Sequence, residues 1–440
     1  MTTRAQPLWR GRTLAVLGIL LCAFSLRSAV ASLSPLLDTI SAEVDLSAAV
    51  IGVIGTLPPV CFAVLGLITP LLERRLGLER LAVIALAAIS VGLLVRGFSE
   101  NAPMLLITTM LIFAGVGMGN ILVPPLVKLY FPDRIGLMMT MYSSVMAVST
   151  FVPPLIAVPL ADAAGWRFSV ALWGVFAVAG LIPWILMLRN PAPRPEPSLD
   201  SSTLDLPPEA FGTGPIPTQS ADTSLTGPIP TSAKTRSMFA RLVRIPLVWA
   251  LAVVFGTSST MAYATFAWMP KILTDMVGLD AASAGSMLSL FAFMGLPSSL
   301  LVPILVVRWQ ATRPVFFTAV ICGLAGISGL LFVPVAGLVW LWIMLYGLSG
   351  LLFPLALVLI SIRARTSESA VVLSSFVQSI GYVIAAIFPV LLGVLNEATG
   401  DWVVPLVVLA AVLVVVIPAG IVAGRRVTVE DEWERRYGTW

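Results

Sequence analysis

Residues Leu14 to Ile40 read LAVLGILLCAFSLRSAVASLSPLLDTI and are apolar almost throughout. At 1.5 Å per residue, a helix of this length is roughly 40 Å long, which exceeds the hydrocarbon core of a bilayer, about 30 Å thick. Arg27 stands at the centre of the stretch, near the middle of the membrane. Its guanidinium keeps its proton there, and burying it costs about 2.5 to 3.5 kcal/mol even on mild insertion scales. The sequence therefore predicts a membrane helix whose central charge must be compensated.

The rest of the chain shares this apolar character. Of its 440 residues, 58% are hydrophobic and 11% are charged, whereas a soluble domain has about 25% charged residues. Eleven further apolar segments follow the first, so we expect an all-α membrane protein with twelve transmembrane helices. The predicted segments are 14–40, 50–72, 81–98, 103–127, 135–160, 168–188, 246–274, 282–307, 314–334, 337–362, 369–395 and 402–424.

The segments fall into two groups of six, which define the predicted domains. These are an N-terminal half, 1–188, a polar linker, 189–244, a C-terminal half, 245–426, and a short tail, 427–440. The linker is rich in Pro, Ser, Thr and Gly and contains the hexapeptide TGPIPT twice. Such a composition buries too little apolar surface to offset the entropy lost on ordering. We therefore expect the linker to be disordered.

Lysine and arginine are distributed unequally between the two sides of the predicted helices. With a cytoplasmic N-terminus, 22 of the 26 Lys and Arg residues fall in cytoplasmic segments, and only Arg96, Arg167 and Lys271 fall in outer loops. The positive-inside rule then predicts a multi-pass protein of the cytoplasmic (inner) membrane with both termini and the linker in the cytoplasm. The net charge of +4 reflects this topology, so we expect no nucleic-acid partner.

The two halves also resemble each other in sequence. Pro35 aligns with Pro270 at an offset of 235, and GMGNILVP in the fourth segment aligns with GLSGLLFP in the tenth at an offset of 230. Parallel six-helix pseudo-repeats of this kind build the major facilitator fold, in which the substrate binds between the halves near the membrane midplane. In this register Arg27 corresponds to Ala262. The charge thus belongs to one half only, which favours a role in the site over a role in the repeated scaffold.

Polar side chains on the central helices are candidates to share a site with Arg27. Gln378 and Tyr382 lie on one face of the eleventh segment at i, i+4 spacing, and Asn120 lies beside glycines that permit close approach. Arginine suits planar oxyanions because its fork donates two parallel hydrogen bonds. The predicted substrate site comprises Arg27, Ser28, Asn120, Tyr142, Tyr263, Tyr346, Gln378 and Tyr382.

Three ways of compensating Arg27 remain open from the sequence. A bound anion neutralises it, or carbonyls and polar side chains solvate it in a wet cavity. In the third, it is a structural strut that bonds to Asn120 and to tyrosines. No Asp, Glu, Lys or His lies well inside a predicted segment, and the chain contains no His at all. Because proton-coupled transporters usually carry a titratable group in the pathway, a uniporter or exchanger is expected over a proton symporter.

A set of short motifs resembles one transporter family. The motifs are Leu26-Arg27, GMGN at 117–120 followed by Pro124 and Lys128, FPDR at 131–134, and GWR at 165–167. Together they resemble the cyanate/nitroimidazole permease family of the major facilitator superfamily. The resemblance implies a secondary active or facilitative transporter that moves a small anionic or polar solute, planar like cyanate or a nitroheterocycle, by alternating access.

Residues near the ends of the segments are expected to take part in gating or coupling. Lys128 and Asp133 lie near the end of the fourth segment. Arg75 lies in the loop after the second segment, where the superfamily carries an inner-gate motif, although Arg74 stands at the position of the family's Asp.

Other function classes are weakly supported by the sequence. It shows no metal-ligand cluster, nucleophile with a base or phosphate-binding loop, so we expect neither an enzyme nor a cofactor or metal. The expected partners are the lipid bilayer and a small-molecule substrate, and the expected state is a monomer. Two alternatives remain: a multidrug efflux antiporter for lipophilic compounds, and a membrane sensor that binds a ligand without transporting it.

Overall fold

The structure is a computed structural model that describes residues 12–44, 46–131, 134–189 and 233–438. These residues fold almost entirely into α-helices. The helices are α1 (Thr13–Ala31), α2 (Leu37–Ser41), α3 (Ala48–Leu76), α4 (Leu78–Arg96), α5 (Ala102–Tyr130), α6 (Ile135–Ala164), α7 (Trp166–Leu172), α8 (Gly174–Arg189), α9 (Ala233–Leu242), α10 (Pro246–Val277), α11 (Ala281–Phe293), α12 (Gly295–Val307), α13 (Thr312–Phe332), α14 (Val339–Gly347), α15 (Leu352–Ile362), α16 (Ser367–Thr399), α17 (Val403–Ala423) and α18 (Val429–Tyr437).

Twelve candidate membrane spans occur in the described part of the chain, each long and apolar enough to cross a bilayer. Some spans consist of two consecutive helices, such as α7 with α8 and α11 with α12. Their bounds follow the predicted segments closely, so the twelve-helix, all-α prediction is confirmed. The agreement arises because a single chain segment in lipid can satisfy its own backbone hydrogen bonds only as a helix. Such a helix needs about 20 apolar residues to cross the bilayer.

The first span is not the single straight helix that its apolar sequence predicts. α1 ends at Ala31, a 3-10 turn follows at Ser34–Leu36, and α2 begins at Leu37. Pro35 explains the interruption because it has no N–H to donate, and its ring clashes with the carbonyl four residues earlier in a regular helix. The chain can therefore change direction one turn beyond the Arg27 level.

Arg96 lies elsewhere than in the outer loop to which the sequence assigned it. It is the last residue of α4, its side chain is completely buried, and its Nη2 donates to the Ala29 carbonyl at 3.4 Å. Ala29 belongs to the last turn of α1, where unsatisfied carbonyls carry partial negative charge. The free carbonyl groups at the end of a helix can thus stabilise a buried arginine. The distribution of Lys and Arg along the sequence does not reveal such a contact.

The predicted linker and tail both contain helix where they are described. Residues 190–232 of the linker lie outside the described residues, but Ala233–Leu242 form α9, which differs from the expected disorder. Met238 and Leu242 lie one turn apart on this helix, and both are buried against the C-terminal half. The tail forms α18, in which the Glu430 carboxylate accepts hydrogen bonds from the Arg365 backbone N–H and the Ser369 hydroxyl.

Close packing inside each half depends on small residues. A Cβ built on Gly115 of α5 would lie 2.5 Å from the Ala85 carbonyl oxygen of α4. In the other half, a Cβ on Gly326 of α13 would lie 2.5 Å from the Trp342 carbonyl oxygen of α14. Because lipid tails are as apolar as the helix surfaces, the hydrophobic effect does not drive helices together within the membrane. Van der Waals contacts at these closely packed glycines provide much of the attraction instead.

The halves meet mainly along α3 with α16 and along α6 with α11. We call the end of the bundle that bears Thr13 and α18 the base, and the end that bears α2 and Lys271 the top. Toward the top the halves are tightly joined: a Cβ on Gly52 would lie 2.8 Å from Val390 Cα, and the Thr56 hydroxyl donates to the Ala386 carbonyl at 2.8 Å. Toward the base, α6 packs little against α12.

We predict that Gly115→Ala destabilises the N-terminal half. The added methyl group would lie far inside contact distance of α4, and overpacking of this kind typically costs about 1–3 kcal/mol. Thermal unfolding of the purified protein should show a lower melting temperature.

Gly66→Ala is the matched control for this variant. A Cβ on Gly66 of α3 would meet only Ile121 Cδ1 at 4.0 Å, an ordinary contact. This variant should melt at the wild-type temperature or slightly above it, because Ala favours helix by up to about 1 kcal/mol over Gly. Equal melting temperatures for the two variants would contradict the packing account.

Candidate functional site

Arg27 lies near the end of α1 and midway along the first membrane span, Thr13–Ser41, and its side chain faces the junction between the two halves. It is half-buried, whereas its neighbours Leu26 and Ser28 are completely buried. Its guanidinium lies within hydrogen-bonding reach of the Tyr263 hydroxyl on α10, the helix that corresponds to α1 in the second half. The central charge of the first span therefore contacts the opposite half of the protein.

Three tyrosines from three helices lie near this charge. Tyr142 on α6, Tyr263 on α10 and Tyr382 on α16 are all within electrostatic range of the Arg27 guanidinium. Tyr142 and Tyr263 are 8% and 7% exposed, so their hydroxyl groups lie in the protein interior. The structure thus brings together four of the residues predicted for the site, one from the first half's α1, one from α6, and two from the second half.

Aromatic rings extend the site into a packed cluster that we call the aromatic wall: Phe62, Phe255, Tyr263 and Tyr382. The ring centroid of Phe62 lies 6.2 Å from that of Tyr263 and 5.8 Å from that of Tyr382, both at edge-on angles. Phe255 lies 5.1 Å from Tyr382. Such rings offer flat apolar surface with polar hydroxyl groups at one end.

The charge of Arg27 has no acidic partner in the described part of the chain. None of the ion pairs formed there includes it, and each of them lies near a helix end or in a loop. Tyrosine hydroxyl groups supply dipoles but no net negative charge. A cation that leaves water without a counter-charge is costly, so the site is electrostatically suited to an anion.

Asn120 and Ser28 lie beside this centre. A Cβ on Gly119, the residue before Asn120 on α5, would lie 2.5 Å from a Leu26 methyl group, so Asn120 is at the depth of Arg27. Its side chain is half-buried. The Ser28 side chain is completely buried, and its hydroxyl has no hydrogen-bond partner within the described residues.

Two predicted residues have bonding partners away from Arg27. The Tyr346 hydroxyl is paired with the Thr265 hydroxyl at 2.8 Å, and its ring stacks on Phe291 inside the C-terminal half. The Gln378 amide donates to Ser374 at 2.7 Å, one turn away on its own helix. Tyr346 therefore joins helices within one half, and we no longer assign it to the solute site.

The predicted gating residues lie toward the base. Lys128 is exposed in the last turn of α5 and is eight residues beyond Asn120, roughly 12 Å along the helix. Arg75 is exposed near the end of α3. Asp133 lies outside the described residues. The gating role of these three residues stays a prediction.

Sequence spacing missed the phenylalanines of the aromatic wall. Phe62 and Phe255 lie in apolar helices where a ring is indistinguishable from packing, and their pairing with Tyr382 crosses from one helix to another. Spacing along one helix reports only which residues share its face. No group of three or more Cys, Asp or Glu side chains able to hold a metal occurs among the described residues.

Above the aromatic wall the path toward the top is closed. A cleft lined by Leu33, Ile54, Phe113 and Tyr263, among others, has a volume of about 30 Å³, room for one or two water molecules. A Cβ on Gly55 would lie 2.6 Å from Ala267 Cβ across the junction of the halves. A solute larger than water therefore cannot pass between the top and Arg27 in this state.

Comparison with known proteins identifies the family. The family model described as Major Facilitator Superfamily matches residues 19–389. The chain is 32% identical to the transporter YycB of Bacillus subtilis over 93% of both chains, and 30% identical to the 2-nitroimidazole transporter of Escherichia coli over 97% of this chain and 99% of that one. It is 26% identical to the cyanate transport protein CynX of Escherichia coli over 88% of this chain and 91% of that one.

The fold has a counterpart among solved structures. A bacterial homologue of the human lysosomal transporter Spinster, in an inward-facing and unoccupied conformation, superimposes with a TM-score of 0.71 at 14% identity, covering 96% of this chain and 98% of that one. The predicted resemblance, including its cyanate and nitroimidazole members, is confirmed. The chain belongs to the major facilitator superfamily of membrane transporters.

Proposed function

We propose that the protein moves a small, planar, anionic or strongly polar solute across the cytoplasmic membrane by alternating access, with Arg27 as its principal binding residue. The observation that carries the proposal is the Arg27 guanidinium at the junction of the halves, with no ion-pair partner among the described residues. A bound oxyanion would supply the missing negative charge and accept two parallel hydrogen bonds.

The aromatic wall supports a planar solute. A flat molecule could lie against Phe62 and Tyr382, whose rings meet at 74°, while its charged end points to Arg27. Nitroheterocycles and aromatic acids combine a flat ring with a planar anionic or strongly polar group. The names of the relatives point the same way, since one transports 2-nitroimidazole and another cyanate.

The closure at the top supports alternating access. With the base in the cytoplasm, as the distribution of lysine and arginine favours, this state would open only to the cytoplasm. Transport would then require the α3–α16 and α6–α11 contacts to separate at the top while the base closes. The Asp38–Lys271 ion pair, 3.5 Å between Nζ and Oδ1, would break in that step, at small cost because both side chains are exposed.

We predict that Arg27→Ala abolishes binding of anionic solutes without unfolding the protein. The test is a thermal-shift screen of purified protein against cyanate, nitroheterocycles and aromatic acids. A ligand at a hundred times its dissociation constant should stabilise the wild type by about 2.7 kcal/mol, and Arg27→Ala should show no shift. Arg27→Lys should lose most of the affinity because it lacks the planar fork.

The control for this screen is Arg80→Ala, which removes an exposed arginine near the base. It should respond to ligand like the wild type. An anion that stabilises Arg27→Ala as strongly as the wild type would refute the proposal. If only lipophilic compounds stabilised the protein, and stabilised the wild type and Arg27→Ala equally, the drug-efflux alternative would be favoured.

We predict opposite effects for two tyrosine substitutions. Tyr263→Phe removes the hydroxyl nearest Arg27 and should weaken anion binding with little change in melting temperature. Tyr346→Phe removes a buried hydrogen bond to Thr265 and should cost about 0.5–1.5 kcal/mol of stability while leaving affinity unchanged. Isothermal titration measures the affinity, and thermal unfolding measures the stability. If Tyr346→Phe weakened anion binding and Tyr263→Phe did not, the proposed site would be wrong.

We predict that Gly55→Ala prevents closure at the top. Its Cβ would lie 2.6 Å from Ala267 Cβ and 2.9 Å from Pro389 Cβ, so the halves must separate there. Spin labels at Ser47 and Glu397, in a background without native cysteines, report the distance across the top. The variant should shift the distribution to longer distances and slow uptake into proteoliposomes, whereas Gly66→Ala should change neither. A wild-type distance distribution in Gly55→Ala would argue against this closure.

A further inference from the structure

A second basic site lies at the base of the C-terminal half, away from Arg27. The ends of α12, α15 and α17 meet there with the start of α13 around a pocket of about 650 Å³. Its polar lining includes Gln310, Thr312, Arg313, Arg363, Arg425 and Arg426. We call it the base pocket.

The four arginines of the base pocket have no acidic partner among the described residues. Arg363 is only 7% exposed, yet its Nε atom has no hydrogen-bond partner there, and its Nη2 contacts only the Ala423 carbonyl, at 3.5 Å. Burial, and then the charge of nearby Arg426, lowers the pKa of Arg363. A buried guanidinium is thus held beside another cation, an arrangement that costs free energy unless something negative occupies the pocket.

The acidic residues of the nearby helix α18 are engaged elsewhere. Glu430 accepts hydrogen bonds from the Arg365 backbone and from Ser369. Hydrogen bonds from Thr428, together with the Arg365 side chain, lower the pKa of Asp431 to about 2. Glu434 pairs with Arg365. These bonds hold the three carboxylates on Arg365, Ser369 and Thr428, and none of them forms an ion pair with an arginine of the pocket among the described residues.

Helix dipoles neutralise only part of the charge. The carboxyl ends of α12, α15 and α17 each carry about half a negative charge, and the amino end of α13 carries about half a positive one. Their sum, roughly one negative charge, faces four guanidinium groups. Helix dipoles alone therefore leave most of the guanidinium charge of the pocket unbalanced.

The pocket is held in shape by its backbone. A Cβ on Gly424 would lie 3.1 Å from Arg313 Cγ, so the Arg313 side chain crosses the end of α17 in contact with it. The Val429 N–H donates to the Arg363 carbonyl at 2.9 Å, which anchors the chain just beyond Arg425 and Arg426. The arginines are therefore positioned on fixed elements and do not belong to a loose tail.

The position of the pocket indicates where its ligand comes from. It lies at the ends of membrane spans, and two residues of its rim, Val307 and Ile362, are 60% and 39% exposed, as expected of surface that faces lipid. Trp309, 68% exposed, lies beside it, and tryptophan is typical of the membrane–water interface. Headgroups of the adjacent leaflet would lie at this level.

We propose that the base pocket binds a phosphate group, with the phosphodiester headgroup of an anionic lipid as its source. The Arg313, Arg425 and Arg426 forks can donate paired hydrogen bonds to phosphate oxygens, while Arg363 supplies charge from beneath. A bound headgroup would join α13, α15 and α17 at the base.

Lipid titrations of the full chain in detergent test this proposal. Phosphatidylglycerol should raise the melting temperature of the wild type in a saturable way, and phosphatidylcholine should not. Arg425→Gln/Arg426→Gln removes two exposed arginines of the pocket and should bind phosphatidylglycerol about tenfold or more weakly. Native mass spectrometry should show fewer retained phosphatidylglycerol molecules on this variant than on the wild type.

The matched control is Arg80→Gln/Arg244→Gln, which removes two exposed arginines at the base that do not line the pocket. It should bind phosphatidylglycerol within about threefold of the wild type, because neither arginine is part of the pocket lining. Equal affinities for the wild type and the pocket variant, or equal losses in both double variants, would overturn the proposal.

A titration with inorganic phosphate distinguishes a lipid headgroup from a soluble phosphate as the ligand of the pocket. Suppose that inorganic phosphate stabilises the wild type but not the pocket variant, and that phosphatidylglycerol stabilises neither protein. The phosphate site is then supported, and its ligand is a soluble phosphate. If phosphatidylglycerol acts and phosphate only competes with it at high concentration, the lipid headgroup is the ligand. No response to either probe would refute the site.

Discussion

A guanidinium held near the middle of a membrane is the constraint on which the solute site depends. The charge of Arg27 must therefore be balanced by its position and its neighbours. The structure places it at the junction of the halves, within hydrogen-bonding reach of Tyr263 in one half and near Tyr142 in the other. The repeated scaffold carries one such charge, because the corresponding residue of the second half is Ala262. The pseudo-twofold framework is thereby made asymmetric at its centre.

The packing of the helices determines what this charge can meet. Glycines bring α4 against α5 and α13 against α14, so each half can move as a unit. Between the halves, Gly52, Gly55 and Thr56 make close contacts at the top, whereas α6 packs little against α12 toward the base. In the proposed alternating-access mechanism, access to Arg27 would be decided by which end is packed, and a solute bound at Arg27 would lie between the two halves.

Much of this architecture could be predicted from sequence because the membrane restricts the options. Hydropathy was sufficient to predict the twelve spans. An intramembrane arginine, together with tyrosines on the central helices, was sufficient to predict that Arg27, Tyr142, Tyr263 and Tyr382 lie close together. The failures have physical causes. Tyr346 has the same spacing as a site residue, but its hydroxyl bonds within its own half. α9 and α18 are too short and polar to be recognised alone and depend on tertiary contacts for their stability. The phenylalanines of the aromatic wall and the base pocket arise from contacts between helices, which periodicity along one chain does not encode.

In the proposed function, the charge of the solute balances the charge of Arg27. The most direct measurement compares binding of benzoate and benzamide, which share a planar ring and differ in charge, to the wild type and to Arg27→Gln by isothermal titration. We expect the wild type to prefer the anion by about tenfold or more, equivalent to about 1.4 kcal/mol or more, and Arg27→Gln to lose this preference. An anion preference of equal size in both proteins would contradict the proposed function and would leave Arg27 as a structural strut.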